Sequence, residues 1–290
     1  MKTYLISALM LMSVMGAQAE TTAPAKAATD TMTMTQDARC MQVLVNCVIN
    51  GVPMRMMLDT GATNTVLHTG SLSKLKNPRQ LDTRNIQFSG NAKERPDVYL
   101  LSLRFAGAAA LHSHPVMVLN LDGARSMMAE QIDGIIGMDI LGAMPFTFDV
   151  SSGKLHWGLP EGEVKLVPLY GHTEESGRLI LSIDCDGKKH DILLDSGSSV
   201  TRIPASAWPA GSGQKINLSV SDVNEAAAIS ATVGAPGTVT LAPGVKVEGV
   251  TPVFCGEDEV TILGMDILGR VRLVHVPSSS HPGGCFFIAL

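Results

Sequence analysis

The chain has 290 residues, 45% hydrophobic and 17% charged, which excludes a disordered polymer and leaves room for two compact units with separate cores. Lys and Arg number 22 against 27 Asp and Glu, an acidic balance that argues against nucleic acid or an anionic membrane as partner. Heptads are absent, and short runs of Val, Ile, Leu and Thr recur between Gly, Pro, Asn and Asp turns, as expected of an all-β protein.

The first residues read as an export signal. Lys2 gives a positive start, Tyr4–Gly16 is apolar, and Ala17-Gln18-Ala19 is a small-residue cleavage site. The apolar run is too short to span a bilayer, so no stable membrane insertion is expected and the mature chain begins near Glu20, in the periplasm or secreted. Loss of Lys2 with residues 1–19 leaves 21 basic against 27 acidic residues, a net charge near −6. Residues 20–38, rich in Ala and Thr, read as a flexible leader. Five cysteines (Cys40, Cys47, Cys185, Cys255, Cys285) allow two disulfides in an exported chain, with Cys255–Cys285 the favoured pair. None has metal-ligand spacing, and no cofactor is expected.

Strands follow in order. Val43–Ile49 and Met54–Leu58 alternate around Asn50-Gly51, a two-residue hairpin signal. Val98–Phe105 and Pro115–Leu119 come next, and Pro145–Val150 with Lys154–Trp157 closes the first half. The pattern then starts again with Leu179–Cys185 and Ile192–Leu194 around Asp186-Gly187. Thr238–Leu241, Thr251–Phe254 and a last hairpin, Val271–Val276 with Cys285–Ala289, complete it.

The recurrence is a duplication. Leu58-Asp59-Thr60-Gly61-Ala62 returns as Leu194-Asp195-Ser196-Gly197-Ser198 at an offset of 136, the aspartate of each copy eight residues after a turn glycine. Ile135-Ile136 and Ile262-Leu263 each precede the same six residues, Gly-Met-Asp-Ile-Leu-Gly, in which a short helix is predicted to start with Asp139 and Asp266 near its N-terminus. The chain therefore divides into an N-terminal lobe over 39–160 and a C-terminal lobe over 161–290, with Gly158–Gly177 as connector. Two carboxylates about 3 Å apart cannot both ionise, and a pair sharing one proton supplies the base and the acid that amide hydrolysis needs; aspartic proteases are the standard example of this principle. Gly61 and Gly197 let the two loops approach, and Thr60 and Ser196 place a hydroxyl beside each carboxylate to lock the pair.

These motifs resemble the retropepsin-like and pepsin-like aspartic peptidases, over roughly Cys40 to the C-terminus. The resemblance implies two pseudo-symmetric retropepsin-like β-barrel lobes around a central cleft, catalytic residues Asp59 and Asp195, and interlocking hydroxyls on Thr60 and Ser196. It implies a polypeptide substrate and competence as a monomer, since one chain carries both aspartates. Ala62 in the first lobe faces Ser198 in the second. A Ser198 hydroxyl donating to a carboxylate would lower its pKa, so an asymmetric dyad and an optimum at roughly pH 4–6 are expected. The family's substrate-covering flap falls over Ile86–Ser102, with its tip near Ser89–Arg95. Ala62 and Tyr99 are its candidate substrate contacts, and Val220–Gly237 is either a second flap or a loop.

Other signals read more plainly. His112 and His114 share a strand face, but no flanking carboxylate or cysteine suggests a metal, so they read as structural or solvated histidines. Asp133, Asp139 and Asp266 read as caps or ion-pair partners, and the methionines as core filler. The alternative to an endopeptidase is a non-catalytic peptide-binding protein that uses the same cleft.

Overall fold

A computed structural model describes residues 31–82, 96–106, 108, 110–174, 176–185, 187–209, 211–221, 226–278 and 284–290. Residues 1–19, read above as an export signal, Asp186 and the stretch 89–95 read as the flap tip lie outside these.

The first hairpin forms as its turn dictates. β1 (Thr31–Gln36) leads into β2 (Val43–Ile49) and β3 (Val52–Leu58), and Ile49 pairs with Val52 across Asn50 and Gly51. Both turn residues have positive φ, +46° and +82°, as a type I′ turn requires. The leader does not extend as far as its composition suggests. Thr31–Gln36 alternates threonine with buried Met32 and Met34, and this two-residue period makes β1 a strand paired with β2.

β4 (Val66–His68), α1 (Thr69–Leu72), β5 (Arg79–Gln80), β6 (Asp97–Phe105) and β7 (Leu111–Leu119) continue the lobe. They are followed by α2 (Asp122–Met127), β8 (Gly134–Ile136), α3 (Met138–Leu141), β9 (Phe146–Asp149) and β10 (Lys154–His156). Strands β2-β3-β8-β4-β7-β6 pair in that order, and β6 returns to β2, closing a six-stranded barrel. β8 lies between β3, to which it is parallel, and β4, to which it is antiparallel. The Asp59 loop therefore emerges between two strands clamped by the buried Ile135-Ile136 segment.

The second half repeats the plan. β11 (Leu166–Pro168) and β12 (Gly171–Thr173) occupy the connector, then come β13 (Leu179–Cys185), β14 (Lys188–Leu194) and β15 (Arg202–Pro204). β16 (Ser212–Ser221) and β17 (Ala226–Gly234) form a long hairpin, followed by β18 (Gly237–Ala242), β19 (Val245–Val250), β20 (Val253–Cys255), β21 (Ile262–Leu263), α4 (Met265–Leu268), β22 (Arg272–Val276) and β23 (Cys285–Ala289). β21 lies parallel to β14 and antiparallel to β15, reproducing the first-lobe clamp, but this sheet stays open as a half-barrel. The β16–β17 hairpin reaches across to α2 of the first lobe.

A sheet joins the halves. β11-β23-β22-β9-β10-β1 runs without a break into the first barrel, and β22 pairs directly with β9. One apolar core extends through both lobes and includes Leu58, Leu194, Ile136 and Leu263.

The favoured disulfide does not form. Cys255 ends β20 beside Pro204 in the second-lobe sheet, whereas Cys285 starts β23 beside Val276 in the joining sheet, and both are free thiols.

Candidate active site

The two Asp-Thr/Ser-Gly loops clasp each other through backbone and hydroxyl. Thr60 N–H donates to Ser196 Oγ at 3.0 Å, and Ser196 N–H donates to Thr60 Oγ1 at 3.0 Å. Each hydroxyl then donates to the carbonyl before the other aspartate, Thr60 to Leu194 O at 3.1 Å and Ser196 to Leu58 O at 2.9 Å. The four bonds form a buried two-fold ring that fixes both loops at once.

The ring brings the carboxyls of Asp59 and Asp195 face to face. A Cβ built on Gly61 would lie 2.5 Å from Asp195 Cγ, and one on Gly197 would lie 2.5 Å from Asp59 Cγ. Only glycine admits this approach.

The environments of the two carboxyls differ. Asp59 Oδ1 accepts from Gly61 N–H at 2.8 Å and Ala62 N–H at 2.9 Å, whereas Asp195 Oδ1 accepts from Gly197 N–H at 2.8 Å. Among the described residues no backbone or hydroxyl donor reaches Asp195 Oδ2. Burial raises the pKa of both. For Asp195 the neighbouring Asp59 charge raises it further, well above the usual carboxylate range. For Asp59, hydrogen bonding with Asp195 and the two N–H donors oppose the burial effect. The two carboxyls therefore titrate as one unit, with more N–H donation to Asp59 than to Asp195.

This asymmetry has a different origin from the one the sequence suggests. Ser198 Oγ donates to Val200 O at 2.9 Å rather than to a carboxylate. The difference comes from the backbone, because Ala62 N–H reaches Asp59 Oδ1 while Ser198 N–H reaches only the Asp195 carbonyl. Tyr99 lies on β6, with Gln80 and Val116 as its strand partners, half-buried against the barrel core. Ala62 is buried, and its carbonyl accepts from Met138 N–H at 2.8 Å.

Sequence reasoning missed two cleft residues. Gln42, 17 residues before Asp59, donates to Gly197 O at 2.9 Å and Ser199 Oγ at 3.2 Å in the opposite loop. Arg178 stands 17 residues before Asp195, and its positive charge lowers the pKa of both aspartates. Glu174 holds its guanidinium through contacts of 2.8 and 2.6 Å. Applying the 136-residue offset upstream of the aspartates pairs these two positions.

Residues 45–140 match the family model described as aspartyl protease. The crystal structure of an aspartic proteinase from Irpex lacteus superposes with a TM-score of 0.50, at 13% identity, over 90% of this chain and 97% of that one. The fold is that of the pepsin- and retropepsin-type aspartic peptidases. No curated protein matches the sequence. The aspartyl protease match covers the first-lobe barrel strands from Val45 and ends inside α3, so it includes Asp59 and its supporting clamp. The second lobe carries its own copy of the same loop and clamp.

Proposed function

We propose that the chain is an exported aspartic endopeptidase that cleaves peptide bonds with water held between Asp59 and Asp195. The observation that carries this reading is the reciprocal clasp, which buries two carboxyls against each other in different electrostatic settings.

In the one-proton state Asp59 takes a proton from the water as its oxygen attacks the peptide carbonyl carbon. Asp195 gives its proton to the carbonyl oxygen, producing a neutral tetrahedral diol. Asp59 then passes its proton to the amide nitrogen and Asp195 recovers one from a diol hydroxyl, so the C–N bond breaks and the starting proton inventory is restored. The clasp supplies the fixed geometry that such a transfer needs. The pair works between its two apparent pKa values, which burial raises and the Arg178 charge lowers. An extended peptide would pair its backbone with cleft strands, and the β16–β17 hairpin, which meets α2 of the first lobe, is the candidate cover.

Export rests on the signal over residues 1–19, and among the described residues no helix is long and apolar enough to cross a membrane. One chain supplies both aspartates, so a monomer suffices.

The test is incubation of the chain from Glu20 onward with a mixed peptide library from about pH 3 to about pH 8. Asp59→Ala and Asp195→Ala run alongside. Cleavage that peaks in mild acid and disappears in both variants supports the proposal. A folded wild-type protein that binds peptides without cutting them identifies the cleft as a recognition site.

A further inference from the structure

The two lobes brace their aspartate loops with the same device, and the first lobe adds a part that the second lacks. In lobe one, Gly137 N–H donates to Thr65 Oγ1 at 3.2 Å, and Thr65 Oγ1 donates to Asp139 Oδ1 at 2.8 Å. In lobe two, Gly264 N–H, Thr201 Oγ1 and Asp266 Oδ1 form the same chain at 3.2 and 2.7 Å. The backbone of each aspartate-bearing helix then fastens the loop. Met138 N–H and Asp139 N–H donate to Ala62 O and Thr63 O, and Met265 N–H and Asp266 N–H donate to Ser198 O and Ser199 O.

His114 is the added part. Its Nε2 lies 2.9 Å from Asp139 Oδ2, the carboxylate oxygen that Thr65 leaves open, and both side chains are only 19% exposed. Val66 pairs with Met117 and its counterpart Arg202 pairs with Val253, so the duplication places Val250 where His114 stands. Val250 is buried and has no donor to offer.

The backbone is bent where the histidine is presented. Between the pairs Leu101↔His114 and Leu103↔Leu111, β7 holds two residues, His112 and Ser113, against one on β6. Ser113 adopts a φ of +54°, which is unfavourable for a residue with a Cβ. Bulges of this kind re-aim a side chain. Here the strand keeps His114 on the face of Val116 and Val118, which point into the main core, and its ring reaches α3.

We infer that His114 is a positioning residue for Asp59, acting through Asp139 and the N-terminal turn of α3 on the Ala62-Thr63 backbone. Facing the Asp139 carboxylate, which can only accept, Nε2 is the donor of this bond. The asymmetry suits the dyad, since the Asp59 loop supplies two N–H donors to its carboxylate where the Asp195 loop supplies one. The inference rests on the proposed peptidase reading for its catalytic consequence, but the brace itself is measurable without turnover.

The test compares His114→Leu, which removes the donor, with His114→Gln, whose Nε2 sits where the imidazole Nε2 was. We expect His114→Leu to lower kcat about tenfold with KM within about twofold, and His114→Gln to recover most of the loss. Amide hydrogen exchange of full-length protein is read in parallel. Met138 and Asp139 should exchange about tenfold faster in His114→Leu and near the wild-type rate in His114→Gln, with Met265 and Asp266 unchanged in both. If the wild type cuts no peptide, the peptidase reading fails and amide exchange alone decides the brace. Unchanged kcat in His114→Leu, no rescue by glutamine, or equal acceleration of exchange in both lobes overturns the inference.

Discussion

Replacing Thr60 by valine keeps the side-chain volume and removes one acceptor and one donor from the clasp. Ser196 N–H loses the hydroxyl 3.0 Å away, and Leu194 O loses a donor at 3.1 Å. Each buried polar group deprived of its partner costs about 1–3 kcal/mol, so with some relaxation the variant should lose about 3 kcal/mol. Ser196→Ala removes the matching bonds to Thr60 N–H and Leu58 O and should cost a similar amount. The two losses should not add. Breaking either half lets the loops part and weakens the other half, so the double variant should fall short of the sum by about 1 kcal/mol. Urea unfolding followed by tryptophan fluorescence reads this, because Trp157 packs on Phe105 in the first lobe while Trp208 bonds Ala235 O in the second. With a slope of about 3 kcal/mol/M, the midpoint of each single variant should fall by about 1 M. Midpoints unchanged within about 0.2 M, or strict additivity, would refute the claim that the four bonds act as one unit.

Gly197→Ala should reduce peptide cleavage by at least about a hundredfold, measured as kcat/KM, because its Cβ would collide with Asp59 Cγ at 2.5 Å. Arg178→Gln removes a cation that favours both ionised carboxylates, so the dyad pKa values rise and the pH–activity profile moves toward higher pH. A profile unmoved or shifted to lower pH would contradict that electrostatic role. For Asp37, burial opposes ionisation, but donation from Glu130, Arg39, Ala129 and Cys40 outweighs it and brings the pKa down to about 2. A depressed folded pKa gives stability that is complete above the unfolded value and lost as pH falls through about 2. Asp37→Asn should therefore melt below wild type at neutral pH, with the gap closing under strong acid in a calorimetric pH series.

The duplication carried most of what was legible in the sequence. Asp59 and Asp195 stand out because the same five-residue pattern follows the same hairpin twice, and Asn50-Gly51 marks a turn whose residues both adopt positive φ. The strands β4 and β15, which lie against the clamp, show no signal of their own, since three residues are too few for a period. Over the β16–β17 hairpin Ala, Ser and Gly give little alternation, so the sequence does not separate a flap from a loop there, yet the two strands pair along most of their length. Composition also hid β1, where methionine and threonine alternate in a segment otherwise resembling a tail. The origin of the dyad's asymmetry could not be read at all. It depends on whether a backbone N–H points at a carboxylate or a carbonyl, and residue type does not decide that.

The sheet that joins the lobes gives the connector a lesser part than its position suggests. Leu273, Val274 and His275 on β22 stand opposite Phe148, Thr147 and Phe146 on β9 in an antiparallel ladder, and the loop clasp adds a second attachment between the lobes. A break in the peptide chain between Leu159 and Glu163 would leave both attachments intact. The halves should then behave as a complementing pair whose fragments stay associated after nicking, the covalent link serving chiefly to keep them at equal dose and high mutual concentration.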